Sequence, residues 1–360
     1  MNYQILANKW RPKSFKEIIG HQDIITAILH GFQYNKIHQA WILSGTRGIG
    51  KTTIARLLSK TLNCTNRIDS YSCNICSNCQ DIEKKTFPDI IEIDAASKTR
   101  VEDIKELLET IQYLPIKGKY KIYLIDEVHM LSKHSFNALL KNLEEPPKYA
   151  KFILITTEIN KIPETILSRC MYFHLKPINI KKIKNHLINI LIKENINFEK
   201  EALEIIAENA KGSIRDALNI IEQAILINYN NITKISIIKM FGILDKEQIL
   251  EIFTTILKKK NTKLFNLLKI VYESNIDLDQ ILIGILNILH NIIIIKNMHY
   301  TNNSIHSQYK KKIFQMAKLL NYKELKNYYK IIITGRKELS FSPNVKIGVE
   351  ITLLNFLNAI

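Results

Sequence analysis

Gly45-Thr46-Arg47-Gly48-Ile49-Gly50-Lys51-Thr52 lies between an apolar run, Ala40-Trp41-Ile42-Leu43, and a stretch from Thr52 to Leu62 with helical periodicity. The octapeptide satisfies G-x-x-x-x-G-K-[ST], and strand, glycine loop and helix follow in the order the motif requires. Its glycines let backbone N–H groups wrap a phosphate chain, and the helix N-terminus adds its positive end. On this reading the loop cradles the phosphates of a nucleotide. Lys51 reaches the β- and γ-phosphates, and the Thr52 hydroxyl holds Mg2+.

A partner for this loop stands about 75 residues on. Lys121-Ile122-Tyr123-Leu124-Ile125-Asp126-Glu127 is an apolar strand that ends in two carboxylates. Four consecutive apolar residues suit the centre of a parallel sheet covered on both faces. Asp126 can hold the Mg2+ water shell, and Glu127 can polarise an attacking water. Alone, an acidic pair after a strand is more often a helix cap; beside the phosphate loop, the catalytic reading is the better one.

The 360 residues suffice for two or three domains, each with its own core. Apolar residues at 46% and charged residues at 24% are ordinary for a soluble protein, so attention falls on the formal charge of +17. That charge suggests a polyanionic partner, most simply nucleic acid. An abundance of Ile, Asn and Lys, all A+T-rich codons, is a competing cause of the lysine excess. The N-terminal Met1-Asn2-Tyr3-Gln4 leads into mixed sequence without a signal peptide. Ile281 to Ile295 is apolar but short, with Asn287, His290 and Asn291 inside it, and reads as a buried helix rather than a membrane span. A soluble, intracellular protein is expected.

Four of the five cysteines cluster as Cys64, Cys73, Cys76 and Cys79. Four thiolates are what a tetrahedral structural Zn2+ requires. Two disulfides are disfavoured in a reducing compartment, and nothing else suggests the electron transfer of an iron–sulfur cluster. Closed four-sulfur ligation leaves no open position, so the metal should hold a loop. Cys170 stands apart and reads as a core thiol.

Apolar runs at Trp41–Leu43, Ile90–Ile93, Ile122–Ile125, Phe152–Ile155 and Met171–Leu175 alternate with helical segments, which implies a parallel sheet. One such segment, Leu131 to Leu143, has Ser132 as N-cap and is stopped by Pro146-Pro147. A short helical stretch from Pro163 to Ser168 precedes Arg169. After Pro177 the pattern turns helical: Ile180 to Lys193, Glu199 to Ala210 and Ser213 to Ile227, then Asn228 to Asn231 as a turn. Beyond Gly242 about 118 residues are again helical, with polar breaks near Lys258–Lys263 and Thr301–Ser307. The lysine triplets Lys258–Lys260 and Lys310–Lys312 read as solvated faces. The expected domains are an α/β domain over 1–177 with a cysteine module at 64–79, a small helical lid over 178–242, and a helical C-terminal domain over 243–360.

An α/β phosphate-loop domain followed by a three-helix lid resembles the AAA+ ATPases. Further motifs narrow the resemblance: Lys9-Trp10-Arg11-Pro12-Lys13-Ser14-Phe15 with Ile19-Gly20-His21, the cysteine insertion after the phosphate-loop helix, and Leu124-Ile125-Asp126-Glu127-Val128-His129-Met130-Leu131. To these add Leu143-Glu144-Glu145-Pro146-Pro147, Leu167-Ser168-Arg169-Cys170 and Gly212-Ser213-Ile214-Arg215-Asp216-Ala217. Together they are similar to the gamma/tau family of bacterial DNA polymerase III clamp-loader subunits, over essentially the whole chain. The resemblance implies ATP, Mg2+ and Zn2+ as ligands. It implies that Arg11, Pro12, Ile19, Gly45, Thr46, Arg47, Gly48, Ile49, Gly50, Lys51, Thr52, Thr53, Asp126, Ile214 and Arg215 bind the nucleotide, with Thr52 and Asp126 on its magnesium. Thr157 would be the polar sensor beside Glu127, a part Thr156 could share. Arg169 would be the arginine finger that completes a neighbour's site, and Arg215 the sensor that reports the γ-phosphate to the lid.

The activity so implied is ATP hydrolysis within the DNA polymerase III holoenzyme, a complex classed as a DNA-directed DNA polymerase, used to open a sliding clamp and load it onto primed DNA. The implied partners are the delta and delta prime subunits, further gamma/tau copies, the sliding clamp and primer–template DNA, with no membrane, in the bacterial cytoplasm at the nucleoid. Longer tau forms carry further C-terminal domains, whose functions are not expected of these residues. A branch-migration motor or other AAA+ translocase shares the phosphate loop and finger but would not be expected to carry the four-cysteine insertion or the long helical collar. A non-hydrolysing scaffold subunit would lack Lys51, Thr52, Asp126 or Glu127.

Overall fold

A computed structural model describes residues 4–97, 106, 108–228, 230–272, 276–297 and 308–359. Met1 to Tyr3, Tyr229, and the break expected at Thr301–Ser307 lie outside the described residues. The chain divides into two compact units, one up to Thr233 and one from Lys234.

The first unit is built on five strands: β1 (Ala40–Ser44), β2 (Ile90–Asp94), β3 (Lys121–Asp126), β4 (Ala150–Thr156) and β5 (Met171–His174), each near a run expected from the sequence. Their order is β2-β3-β4-β1-β5 and every pairing is parallel. Because side chains alternate along a strand, each central strand feeds two cores. Ile42, Tyr123, Ile125, Phe152 and Leu154 pack on one face, and Leu43, Ile122, Leu124, Ile153 and Ile155 on the other. Helices α1 (Leu6–Lys9), α2 (Gln22–Gln33), α3 (Lys51–Leu62), α4 (Ser77–Glu83), α5 (Lys133–Glu144) and α6 (Glu164–Leu167) accompany the sheet. Ile54, Leu58 and Leu62 of α3 lie on the second core, and Phe136, Leu139 and Leu143 of α5 on the first.

The sequence pattern begins α5 at Leu131; the structure begins it two residues later. Leu131 is extended (ψ 144°), and Ser132 acts as N-cap, accepting from the Ser135 N–H. Three helices complete the unit: α7 (Ile180–Lys193), α8 (Lys200–Asn209) and α9 (Ile214–Ile227), with the two-residue strands β6 (Asn197–Phe198) and β7 (Asn231–Ile232) between their ends.

The second unit comprises α10 (Lys234–Phe241), α11 (Lys246–Leu257), α12 (Asn261–Tyr272), α13 (Asp279–Asn297), α14 (Gln308–Leu319), α15 (Tyr322–Glu338) and α16 (Val345–Asn358). The sequence boundary at 242 would have put α10 with the preceding helices; in the structure it groups with the second unit, tied to it by Lys234 and Asp245 at 2.6 Å. The polar break at Lys258–Lys263 is shorter than expected, since α12 starts at Asn261. At 19 residues α13 is longer than its apolar core of 15 and has the length and hydropathy of a membrane span. Its face of Ile281, Leu282, Ile285, Ile288, Leu289 and Ile292 is, however, spent on a protein core shared with Phe253, Tyr328 and Phe356.

One buried carboxylate fixes the entry to β3. Asp89, 1% exposed, accepts the backbone N–H groups of Ile116 (2.7 Å), Lys117 (2.7 Å) and Gly118 (2.6 Å). Asp89→Ala strands those donors beside the core and should lower the unfolding free energy by about 2–4 kcal/mol. Urea unfolding followed by circular dichroism measures this, and a loss below about 0.5 kcal/mol would mean the turn holds itself.

Candidate nucleotide site

Register brings the site together. Ser44 of β1 stands level with Thr156 of β4 and His174 of β5, and Asp126 of β3 level with Asp94 of β2. The loops after β1, β3 and β4 therefore leave the sheet at one edge, where ligands of open parallel sheets bind. A cleft of about 530 Å3 opens there. Its lining includes Arg11, Pro12, Ile19, Arg47, Gly48, Ile49, Gly50, Lys51, Thr52, Thr53, Asp126, Glu127, Ile214 and Arg215.

Gly45, Gly48 and Gly50 all have positive φ, so the loop takes a path that side chains resist. The chain then enters α3, whose first residue is Lys51. The ammonium donates to the carbonyls of Gly45 (2.7 Å) and Thr46 (3.0 Å), two residues outside the lining. Only 6% of Lys51 is exposed, and burial lowers its pKa. Beside it the Thr52 hydroxyl donates to Asp126 Oδ2 at 2.9 Å, while burial raises the Asp126 pKa. A hydroxyl and a carboxylate in contact next to a phosphate loop are hard oxygen donors suited to Mg2+.

Glu127 carries backbone strain, with φ 48° and ψ 45° in the left-handed region. It occupies the N-cap position of the short turn Val128–Met130, but its side chain makes no capping bond there. Instead its Oε2 accepts from the Thr157 hydroxyl (2.9 Å) and backbone N–H (3.2 Å). The two adjacent threonines thus divide their work. Thr156, fully buried at the end of β4, pairs its hydroxyl with His129 Nδ1 at 3.1 Å and accepts the Glu158 N–H at 3.0 Å. His129 also lies 3.4 Å from both Glu127 and Glu158, a link the sequence reading did not single out.

Arg11 donates to the Thr53 hydroxyl at 3.2 Å. Burial, reinforced by the positive charge of Arg56, lowers its pKa to about 10. The Arg215 N–H donates to the Gly48 carbonyl at 3.3 Å, so the start of α9 rests on the phosphate loop. Arg169 is elsewhere. It is absent from the cleft lining, and its guanidinium bonds to the Thr165 carbonyl (2.7 Å), Ser168 Oγ (3.3 Å) and Glu144 Oε1 (2.8 Å). Within one chain Arg169 therefore makes a half-exposed ion pair. The cleft also takes in Ala7, Asn8, Trp10, Asp94 and His186, none of which the sequence marked as ligands. A lone histidine on an amphipathic helix carries no motif. Burial, then the charge of Lys193, lowers the His186 pKa to about 4.

The cysteine cluster forms a separate module. The Sγ atoms of Cys64, Cys73, Cys76 and Cys79 all lie within 4.8 Å of one another, and none is in a disulfide. The Cys79 N–H donates to Cys76 Sγ, the N-cap of α4. Asn63 anchors the module by bonding both the N–H and the carbonyl of Tyr120, and Asn78 bonds the Asn63 carbonyl. Four convergent sulfurs in so small a volume fit a tetrahedral metal better than a set of protonated thiols. Cys170 is partly buried against the α5-side core, and burial pushes its thiol up to about 12.

Three family models cover almost the whole chain: DNA polymerase III, delta subunit, over residues 20–179; DNA polymerase III clamp loader subunit, ATPase lid domain, over 182–229; and DNA polymerase III subunits gamma and tau domain III, over 232–360. DNA polymerase III subunit gamma of Buchnera aphidicola subsp. Baizongia pistaciae is 48% identical over 99% of this chain and 98% of its own length. The gamma subunit of Buchnera aphidicola subsp. Acyrthosiphon pisum is 48% identical over 100% of both chains. DNA polymerase III subunit tau of Escherichia coli K12 is 42% identical over 99% of this chain, which spans 56% of it. Among solved structures, the Thermotoga maritima RuvB Holliday junction branch migration motor aligns over 69% of this chain and 79% of its own. Its identity is 20% and its TM-score 0.48, too low to bear on the assignment.

Gly48 joins the phosphate loop to the helical module. Its φ is +77°, and a Cβ there would meet Ser213 Oγ at 2.0 Å. Gly48→Ala should cost about 2–4 kcal/mol, combining left-handed strain with overpacking. Adding Ser213→Ala should recover part of the loss, although Ser213 also caps α9 through the Asp216 N–H. Thermal unfolding of the two variants checks this. Equal stability of Gly48→Ala and the parent would show that the loop shifts freely.

Proposed function

Since the chain belongs to the gamma/tau family of DNA polymerase III clamp-loader subunits, we propose that it is the ATP-hydrolysing motor subunit of the replicative clamp loader. In this reading it opens a sliding clamp and loads it onto primed DNA. The observation that carries the reading is the paired contact at the sheet edge beside Lys51: Thr52 on Asp126 and Thr157 on Glu127, each at 2.9 Å. A family scaffold that does not hydrolyse ATP would have no need of both pairs.

The proposed chemistry follows from these contacts. Lys51 exchanges its bonds to the Gly45 and Thr46 carbonyls for the β/γ-phosphates, while the backbone N–H groups of the loop bind the same oxygens. Thr52 and Asp126 would hold Mg2+, which supplies charge neutralisation between the phosphates. Glu127 polarises the attacking water once freed from Thr157, so Thr157 senses the γ-phosphate by losing or keeping that bond. Arg11, Pro12, Ile19 and Thr53 border the nucleotide, and Ile214 and Arg215 carry its state into α9.

Arg169 does not line its own cleft and pairs with Glu144 instead, which suits a group that acts in a neighbour's site. Its planar charge matches γ-phosphate oxygens better than lysine's point charge would. The proposed partners are delta, delta prime and further gamma/tau subunits, the sliding clamp and primer–template DNA. The +17 charge supports contact with DNA phosphates without sequence reading. The proposed enzyme class is that of the DNA polymerase III holoenzyme, and the proposed location is the bacterial cytoplasm.

The test uses a loader reconstituted with its partners. Lys51→Ala should lose most ATP affinity, whereas Glu127→Gln should bind ATP and fail to hydrolyse it. Arg169→Ala should bind ATP normally, with DNA- and clamp-stimulated turnover reduced by at least about tenfold. Mixing Arg169→Ala chains with Lys51→Ala chains separates the two halves of a composite site. Turnover at the parent rate by Glu127→Gln, or with Arg169 absent from every neighbour, would overturn the respective assignment.

Zinc is the proposed occupant of the cysteine module. Elemental analysis of protein prepared without chelator should find about one Zn2+ per chain. Cys76→Ser should release it and loosen the 64–79 loop while ATP affinity stays within about threefold, since neither pair at the sheet edge involves a cysteine. Metal-free protein with linked cysteines would overturn the proposal.

A further inference from the structure

An acid stands where a helix least favours one. Glu194 is the C-cap of α7, at the negative end of the helix dipole. Its carboxylate pKa is nevertheless lowered, first by its hydrogen bond with Lys9. Lys9 Nζ and Trp10 Nε1 each donate to it at 2.7 Å. The preceding residue completes the grip, for Lys193 Nζ lies 5.1 Å from the Trp10 ring centre. The last residue of α7 and its C-cap thus hold two consecutive residues of the N-terminal arm, with Trp10 and Glu194 184 positions apart in the chain.

The held arm is a wall of the nucleotide cleft. Ala7, Asn8, Trp10, Arg11 and Pro12 line it, and Arg11 continues directly from the gripped Trp10. Glu194 itself is not in the lining. We propose that Glu194, with Lys193, is a positioning residue for ATP binding: it clasps Lys9 and Trp10 and so holds Arg11 and Pro12 over the nucleotide. This rests on the cleft being the ATP site. The module of α7 to α9 then meets the nucleotide twice, through α9 on Gly48 and through the clasped arm. Charge-assisted bonds at 2.7 Å are the strong kind, and an indole bonded to a carboxylate and faced by an ammonium is fixed in orientation. Losing the clasp frees the arm, so nucleotide leaves sooner while the groups at the sheet edge keep their geometry.

The test measures release of N-methylanthraniloyl-ATP with Mg2+ from the full chain, and steady-state turnover by the reconstituted loader. Glu194→Ala should speed release and raise KM for ATP by about tenfold, with kcat within about twofold of the parent. Glu194→Gln keeps an acceptor for Trp10 and loses the charge facing Lys9, so it should fall between. Trp10→Phe removes one of the two bonds to Glu194, so its effect on release and KM should be the smaller, and combining it with Glu194→Ala should add nothing to the larger single effect, since that variant has already lost the Trp10 bond. Release and KM within about twofold of the parent in Glu194→Ala would overturn the proposal, as would full additivity in the double variant. A parent chain that does not bind the probe, behaving like Lys51→Ala, would overturn the nucleotide reading itself and this inference with it.

Discussion

The parallel register of β1, β3 and β4 is the constraint on which the rest of the first unit depends. Ser44 pairs with Thr156, and Ile125 with Leu154, so the chain leaves all three strands on one edge within a residue or two. The phosphate loop, the acidic pair and the threonine pair follow those strand ends directly. Slipping one strand by a single residue would exchange its two buried faces. Because Ile42, Tyr123 and Phe152 fill one core and Leu43, Leu124 and Ile153 the other, that slip is heavily penalised. The hydrophobic pattern that folds the sheet therefore also aligns the site.

Burial at that edge sets unlike charges against their solvation. Lys51 and Arg11 are pushed toward the neutral form and Asp126 toward the protonated one, in each case chiefly by burial. The polar contacts present are local: Lys51 on carbonyls, Asp126 on Thr52 and Glu127 on Thr157. A triphosphate with its magnesium would supply the opposite charge to each of these groups. The left-handed backbone of Glu127 fits the same picture, since strain held at one acidic residue fixes its direction.

The helical module meets the phosphate loop through backbone and a cap, and α1 packs on α9. Gly48 has no room for a side chain against Ser213, and the Arg215 N–H reaches the Gly48 carbonyl. At its other end α7 grips the N-terminal arm through Glu194.

Much of this was legible in the residues themselves. Apolar runs located all five strands of the main sheet: β1, β3 and β4 are buried along nearly their whole length, whereas the edge strands β2 and β5 are partly exposed and carry Glu92 and His174. The glycine–lysine octapeptide, the carboxylates after Ile125 and the four cysteines stood out by donor type and short spacing, and the structure brings each set together. The start of α5 followed from Ser132, a side chain able to cap it. What only the tertiary structure decided concerns groups distant in sequence and unremarkable alone. The division of Thr156 and Thr157 between His129 and Glu127, the pairing of Arg169 with Glu144, and the hold of Glu194 on Lys9 and Trp10 leave no spacing signal. Local sequence sets propensity and donor type; which donor meets which acceptor depends on how strand register and helix packing bring separate segments together.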